Sequence, residues 1–220
     1  MFEGPFDHSI IKKAIEKKLV EIKYIDIRDF GIGKHKTVDN RPYGGGQGMI
    51  LRVDVLARTI EAAKNKKLTK FTQKVVLLDP HGGSFNQKKA KELSKLKHLI
   101  LVCGHYEGFD DRINNFVDEV ISIGDFILTG GEIPSMIVTD SVVRLIKGTF
   151  KENVTDIESF SPYLEYPQYT KPRVYRKHSV PEILLSGNHR EIEEWRKKTS
   201  LEDTIKLRPD LITKKVFKKD

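Results

Sequence analysis

The chain has 220 residues, 38% of them hydrophobic and 32% charged, with a formal charge of +8 at pH 7. That balance excludes a wholly disordered chain, and the longest apolar runs, "HLILVC" and "VVLL", fall far short of the roughly 20 residues a membrane helix needs, so a soluble cytoplasmic protein with no membrane partner is expected. The positive charge is unevenly placed: residues 166–220 hold 14 Lys and Arg against 8 Asp and Glu, and the first 165 hold 25 against 23, which suits either a polyanionic partner or a solvated lysine-rich face.

In "HSIIKKAIEKKLV" the apolar residues Ile10, Ile11, Ala14, Ile15 and Leu19 recur at helical spacing, and "EIKYIDIRDF" then alternates as a strand does. A glycine-rich stretch, "RPYGGGQGM", precedes a helical pattern from about Val53 to Asn65. "KVVLLDP" follows as a buried strand ended by Pro80, then a helix around Gln87 to Leu96 and a third strand, "HLILVCG". Helices alternating with short, fully apolar strands predict an α/β fold with a mainly parallel sheet covered on both faces. "MIVTDSVVRLI" predicts a helix ending near Gly148. The polar, proline-punctuated stretch after it reads as an interdomain linker, giving a domain over 1–150, a linker over 151–165 and a small helical domain over 166–220. In that last part a helix capped by Ser186 or Asn188 buries Ile192 and Trp195, and Ser200 with Asp203 resembles a capping box for one more short helix.

Three segments, "DPHGG", "GHYEG" and "SIGDFILTGGEIP", stand at strand ends, where open α/β sheets bind ligands, and are expected to meet at one site. "YGGGQG" lacks the GK[ST] ending of a phosphate loop, and no glycine fingerprint follows the first strand, so nucleotide-fold readings are weak. His35, His81, His105 and His189 are too scattered for a zinc site, no nucleophile elbow surrounds any serine, and Cys103, closing an apolar run, reads as a small core residue rather than a nucleophile. Loops rich in glycine, with the carboxylates Asp39, Glu107, Asp110, Asp125, Glu132 and Glu165 in the same motifs, suit a flat neutral heterocycle held by main-chain groups.

Taken in order, "TVDNRPYGGGQGM", "LDPHGGSFNQ", "LILVCGHYEGFDDRI", "SIGDFILTGGEIP", "YPQYTKP" and "LLSGNHREIEEWR" closely resemble the bacterial tRNA guanine-N1 methyltransferases of the TrmD type, in the SPOUT superfamily. The resemblance covers nearly the whole chain. It implies an N-terminal domain with a deep trefoil knot, a flexible linker, a small all-helical C-terminal domain that binds the anticodon stem-loop of tRNA, and a homodimer with sites at the subunit interface. It also implies that S-adenosylmethionine binds in the knot loops, Leu77 to Gly82, Gly104 to Gly108 and Ile123 to Pro134. Within them Leu77, Leu78, Pro80 and Gly82, then Gly104, Tyr106, Glu107 and Gly108, then Ile123, Gly124, Phe126, Leu128, Gly130, Gly131 and Pro134 would surround the donor.

Guanine N1 carries a proton at neutral pH, so its methylation calls for a general base. The resemblance places that base at Glu165, where the family pattern has aspartate, with Asp156 or Glu158 as the fallback. Asp39 matches the carboxylate that reads the guanine edge, with Arg41 beside the base or a phosphate, and Glu107 matches an acid near the methionine part of the donor that admits a magnesium ion. Arg112, Arg144, Lys171, Arg173, Arg196 and Lys197 are candidates for phosphate contacts. Family members begin with a hydrophobic strand running into a segment such as "FPEMF", whereas this chain starts "MFEGPF", so a first strand is expected to be missing and a sheet position unpaired. The expected activity is methyl transfer to N1 of the guanine just 3′ of the anticodon; the alternatives are a SPOUT enzyme with another RNA target and a non-catalytic RNA-binding protein.

Overall fold

Val75, Val76, Leu77 and Leu78 follow one another with no polar residue between them, and all four are buried, as a strand covered on both faces requires. In the computed structural model, which describes residues 1–2, 4–151 and 154–212, they form the middle of β3 (Gln73–Ser84), the third strand in chain order. The chain divides into two units, Met1–Phe150 and Lys151–Asp220.

In the first unit β3 lies between β4 (His98–Val102) and β5 (Glu119–Ser122), and both run parallel to it. Successive residues of a strand face opposite ways. Val75 and Leu77 therefore pack with Val55, Leu56 and Ile60 of α2 (Val53–Ala63), while Val76 and Leu78 pack with Leu93 of α3 (Gln87–Leu93) and with Val138 and Val142 of α4 (Glu132–Val143). This is the expected α/β architecture, a parallel sheet with helices on both faces. α1 (Ser9–Glu16) adds Ile11 and Ala14 to a cluster with Phe6 and Val143.

Three local expectations change. "EIKYIDIRDF" forms no strand: among the described residues nothing pairs with 21–26, so the alternation has no ladder to complete. Tyr24 and Ile25 stay exposed, and a 3₁₀ turn, Ile27–Phe30, follows, with the Asp26 carboxylate accepting from the Arg28 N–H at 2.8 Å. β3 does not stop at Pro80. It leaves β5 at Leu78 and rejoins it at Gly83, both opposite Ile121, so that residues 79–82 form a bulge, where proline is tolerated. α4 starts at Glu132 and ends at Val143, earlier at both ends than its apolar pattern predicts.

Lys74 on β3, Lys89 and Glu92 on α3, and Glu119 on β5 form one ion cluster, with Lys74–Glu92 at 2.6 Å, Lys89–Glu92 at 2.9 Å and Lys74–Glu119 at 3.4 Å. The Lys74 hydrogen bond, followed by that of Lys89, holds the Glu92 carboxyl down from 4.5 to about 2. A carboxyl lowered on folding contributes stability that is present above its unfolded value and is lost as pH falls through its folded value. Urea unfolding of the wild type and of Glu92→Gln is therefore expected to differ most near neutral pH and to converge between pH 4.5 and about 2. An unchanged gap across that window would contradict the cluster's role.

In the second unit α5 (His189–Leu207) is capped by Asn188, whose side chain accepts from the Glu191 N–H at 3.4 Å. Ile192 and Trp195 are partly buried. The separate helix expected from Ser200 does not form, because α5 runs through it and the hydroxyl is committed elsewhere. Ser200 Oγ donates to the Leu164 carbonyl at 2.6 Å, while Thr204 Oγ1 accepts from the Leu164 N–H at 2.9 Å. Thr204 is wholly buried, so Thr204→Val, similar in shape, leaves that N–H without its acceptor and is expected to cost about 1–3 kcal/mol in urea unfolding. A hairpin of β6 (Val174–Tyr175) and β7 (His178–Ser179) accompanies α5, so the unit is not all helical. Among the described residues no helix is long and apolar enough to cross a membrane.

Candidate active site

Because β3, β4 and β5 are parallel, their carboxyl ends open on one side of the sheet. The bulge in β3 and the segments leaving β4 and β5 line one cleft of about 290 Å³. Leu78 and Pro80 come from the bulge within β3, and Gly104, Tyr106, Glu107 and Gly108 from the turn after β4. Ile123, Gly124, Phe126, Leu128, Gly130, Gly131 and Pro134 come from the segment joining β5 to the first turn of α4. The remaining two of the expected donor-binding residues do not line it. Leu77 faces the α2 side of the core, and Gly82 lies against the backbone of Val120 and Ile121, where a Cβ has no room.

The turns touch through main chain. The Gly131 N–H donates to the Gly104 carbonyl at 2.7 Å, and a Cβ on Gly131 would lie 2.5 Å from the Gly104 nitrogen and 2.7 Å from the Cys103 Cα. Glycine is required there by close approach, since backbone cannot rotate away as a side chain can. Against this polar framework the third segment exposes Phe126 (54%), Ile127 (84%) and Leu128 (38%). Apolar faces beside main-chain donors and acceptors fit a planar heterocycle with a short aliphatic arm. Burial pushes the Cys103 thiol up from its ordinary value, and the residue is partly buried.

Several residues of the site carry no individual signal in the sequence. Asp79 and His81 line the cleft, with His81 Nδ1 2.6 Å from Asp79 Oδ1, and Phe109 closes it beneath Gly104. The stretch "YGGGQGM" also belongs here: a Cβ on Gly48 would run into the Glu107 side chain, and the Glu107 N–H donates to the Met49 carbonyl at 3.0 Å. The density of glycines beside an arginine was the available signal. Tyr43 on the same loop is 99% exposed.

The other expected residues are placed as follows. Asp39, partly buried, sits on β1 (Asp39–Asn40) opposite Leu51 of β2 (Ile50–Leu51), with Arg41 exposed next to it. Arg112 grips Asp110 with two nitrogens, Nε at 2.8 Å, which holds the Asp110 carboxyl below its ordinary range. The Arg144 guanidinium lies 5.3 Å from the Phe150 ring centre. Glu165, in the second unit and partly buried, accepts from Gln168 Nε2 at 2.6 Å, and its N–H donates to Ser159 Oγ at 3.0 Å. Glu158 lies in the same unit, and the Asp156 side chain is outside the described residues. Lys171 and Lys197 are exposed, Arg173 pairs with Glu182 at 2.8 Å, and Arg196 pairs with Glu193 at 2.8 Å while lying 4.8 Å from the Tyr166 ring centre.

The likeness to known proteins runs the length of the chain. It is 51% identical over 216 residues to a tRNA (guanine-N(1)-)-methyltransferase of Dictyoglomus turgidum, covering 97% of this chain and 86% of that relative. A protein of the same name from Bacillus cereus is 48% identical over 225 residues, covering 100% of this chain and 90% of its own length. One from Mycoplasmopsis agalactiae is 47% identical over 212 residues, with 95% and 91% covered. Residues 1–214 match the family described as tRNA (Guanine-1)-methyltransferase TrmD, and the chain belongs to that family.

Proposed function

We propose that this chain transfers a methyl group from S-adenosylmethionine to N1 of the guanine just 3′ of a tRNA anticodon. The observation that carries the reading is the meeting of the β3 bulge with the turns after β4 and β5 in one cleft, in a chain that belongs to this methyltransferase family. S-adenosylmethionine supplies a methyl activated by a sulfonium, and the cleft's apolar walls and main-chain edges suit its adenine and its methionine arm. We extend the reading to a trefoil knot formed by these loops, on the strength of the family match alone.

Asp39 accepts the N–H donors on the guanine edge and orients the ring, with Arg41 beside it. Glu165 takes the N1 proton as the N1–methyl bond forms and the sulfur–methyl bond breaks, which leaves a neutral thioether and a protonated carboxyl. Positioning and proton removal are what the protein has to supply, because the donor loses its charge as the methyl moves. Among the described residues no three His, Cys, Asp or Glu side chains come together to hold a metal ion. The enzyme acts as a homodimer whose sites draw on both copies, with residues 166–220 engaging the anticodon stem-loop, and works in the cytoplasm.

The test is methyl transfer from labelled S-adenosylmethionine to an anticodon stem-loop bearing that guanine. Incorporation is expected there and not on the same RNA already methylated at N1. Incorporation into both RNAs would mean another acceptor atom, such as a ribose hydroxyl.

A further inference from the structure

From Gln168 to Ser179 every residue is exposed, yet the segment contains an ordered hairpin. Val174 pairs with Ser179 and Tyr175 with His178, so the connection is the two residues Arg176 and Lys177. Both have positive φ, 45° and 69°. Two central residues with positive φ in a two-residue hairpin loop make a type I′ turn, for which Asn-Gly is the favoured pair. Residues with a Cβ cost roughly 1 kcal/mol or more each in that backbone region. Neither face of the hairpin is buried, and a two-stranded hairpin alone is marginal in water. Packing therefore explains neither the hairpin nor its turn residues.

Its charge does. Residues 168–181 contain Lys171, Arg173, Arg176 and Lys177 with no Asp or Glu, interleaved with Tyr169, Tyr175 and His178. Arg173 is paired with Glu182, and the Arg176 guanidinium lies 5.4 Å from the ring centre of Tyr175, itself 60% exposed. Cations at the tip of a protruding arm, next to a bare aromatic ring, match the two things a tRNA loop offers: phosphates and unstacked bases. A second copy of the same basic arm would meet it with like charge.

We propose that the hairpin Val174–Ser179 grips the RNA substrate, with Arg176 and Lys177 on phosphates and Tyr175 presenting its ring to an unstacked base. This rests on the proposed activity and extends it to residues outside the cleft. The decisive variant is Arg176→Asn with Lys177→Gly, because it installs the pair that the turn prefers and so removes the charges while favouring the hairpin. Binding of the anticodon stem-loop is expected to weaken about tenfold near physiological salt, and the slope of log affinity against log salt to become shallower by about 1.4–1.8, the share of two phosphate contacts. KM for the RNA should rise with kcat at saturating RNA and donor binding unchanged, and Arg176→Lys with Lys177→Arg should keep the wild-type slope. An unchanged slope and KM, or a change in oligomeric state instead, would overturn the proposal. The two readings fail differently: a wild type that binds the stem-loop without methylating it contradicts the activity and leaves the grip standing, whereas a double variant that binds and methylates like the wild type contradicts the grip alone.

Discussion

Glu165→Gln is expected to lower kcat for methyl transfer by about 10²- to 10⁴-fold, the usual contribution of a general base. The amide keeps an oxygen for the bond that Gln168 Nε2 donates at 2.6 Å, so local structure should survive and the loss can be assigned to the missing base. Every residue lining the cleft belongs to the first unit, so affinity for S-adenosylmethionine should hold in calorimetry. Asp39→Asn serves as the contrast, since weakening recognition of the guanine edge should raise KM for the RNA. Near-wild-type turnover by Glu165→Gln would move the base elsewhere, with Glu158 the first to test.

Gly131→Ala is expected to open the cleft itself. The new Cβ would sit 2.5 Å from the Gly104 nitrogen and 2.7 Å from the Cys103 Cα, and both neighbours are backbone. Relief requires the start of α4 to move away from the turn after β4, which breaks the Gly131–Gly104 hydrogen bond. Overpacking of this kind typically costs about 1–3 kcal/mol, and we expect donor affinity to fall by at least about tenfold. Gly83→Ala is the matched control, because its Cβ would meet nothing within 4 Å. Equal donor affinity in the two variants would contradict the close approach as the cleft's foundation.

What could be read in the sequence follows from how local each feature is. The run Val75–Leu78 announces a two-sided strand by itself, and three glycine-bearing strand ends announce a site by position along the chain. Residues 21–26 alternate as well as any strand, but pairing is a property of neighbours, and alternation alone supplies none. The hairpin at Val174–Ser179 was hidden for a related reason: its turn carries Arg and Lys where a readable turn carries Asn and Gly. At the site, the motifs named which loops converge. They could not show that Gly48 makes room for Glu107, that Phe109 lies beneath Gly104, or that Leu77 and Gly82 serve the core and the β5 contact, because each of those is a meeting of residues distant in sequence. Ser200 shows the same limit within one helix, where a hydroxyl spaced as a cap is taken by the Leu164 carbonyl.

The central claim is that one methyl donor is held at once by the bulge in β3 and the turns after β4 and β5. Amide hydrogen exchange with and without S-adenosylmethionine tests it most directly. Protection is expected to rise together in 78–81, 104–109 and 123–131 at donor concentrations that saturate binding, and to stay flat over α1. Protection confined to one of those turns, or appearing in none of them while the donor binds, would contradict it.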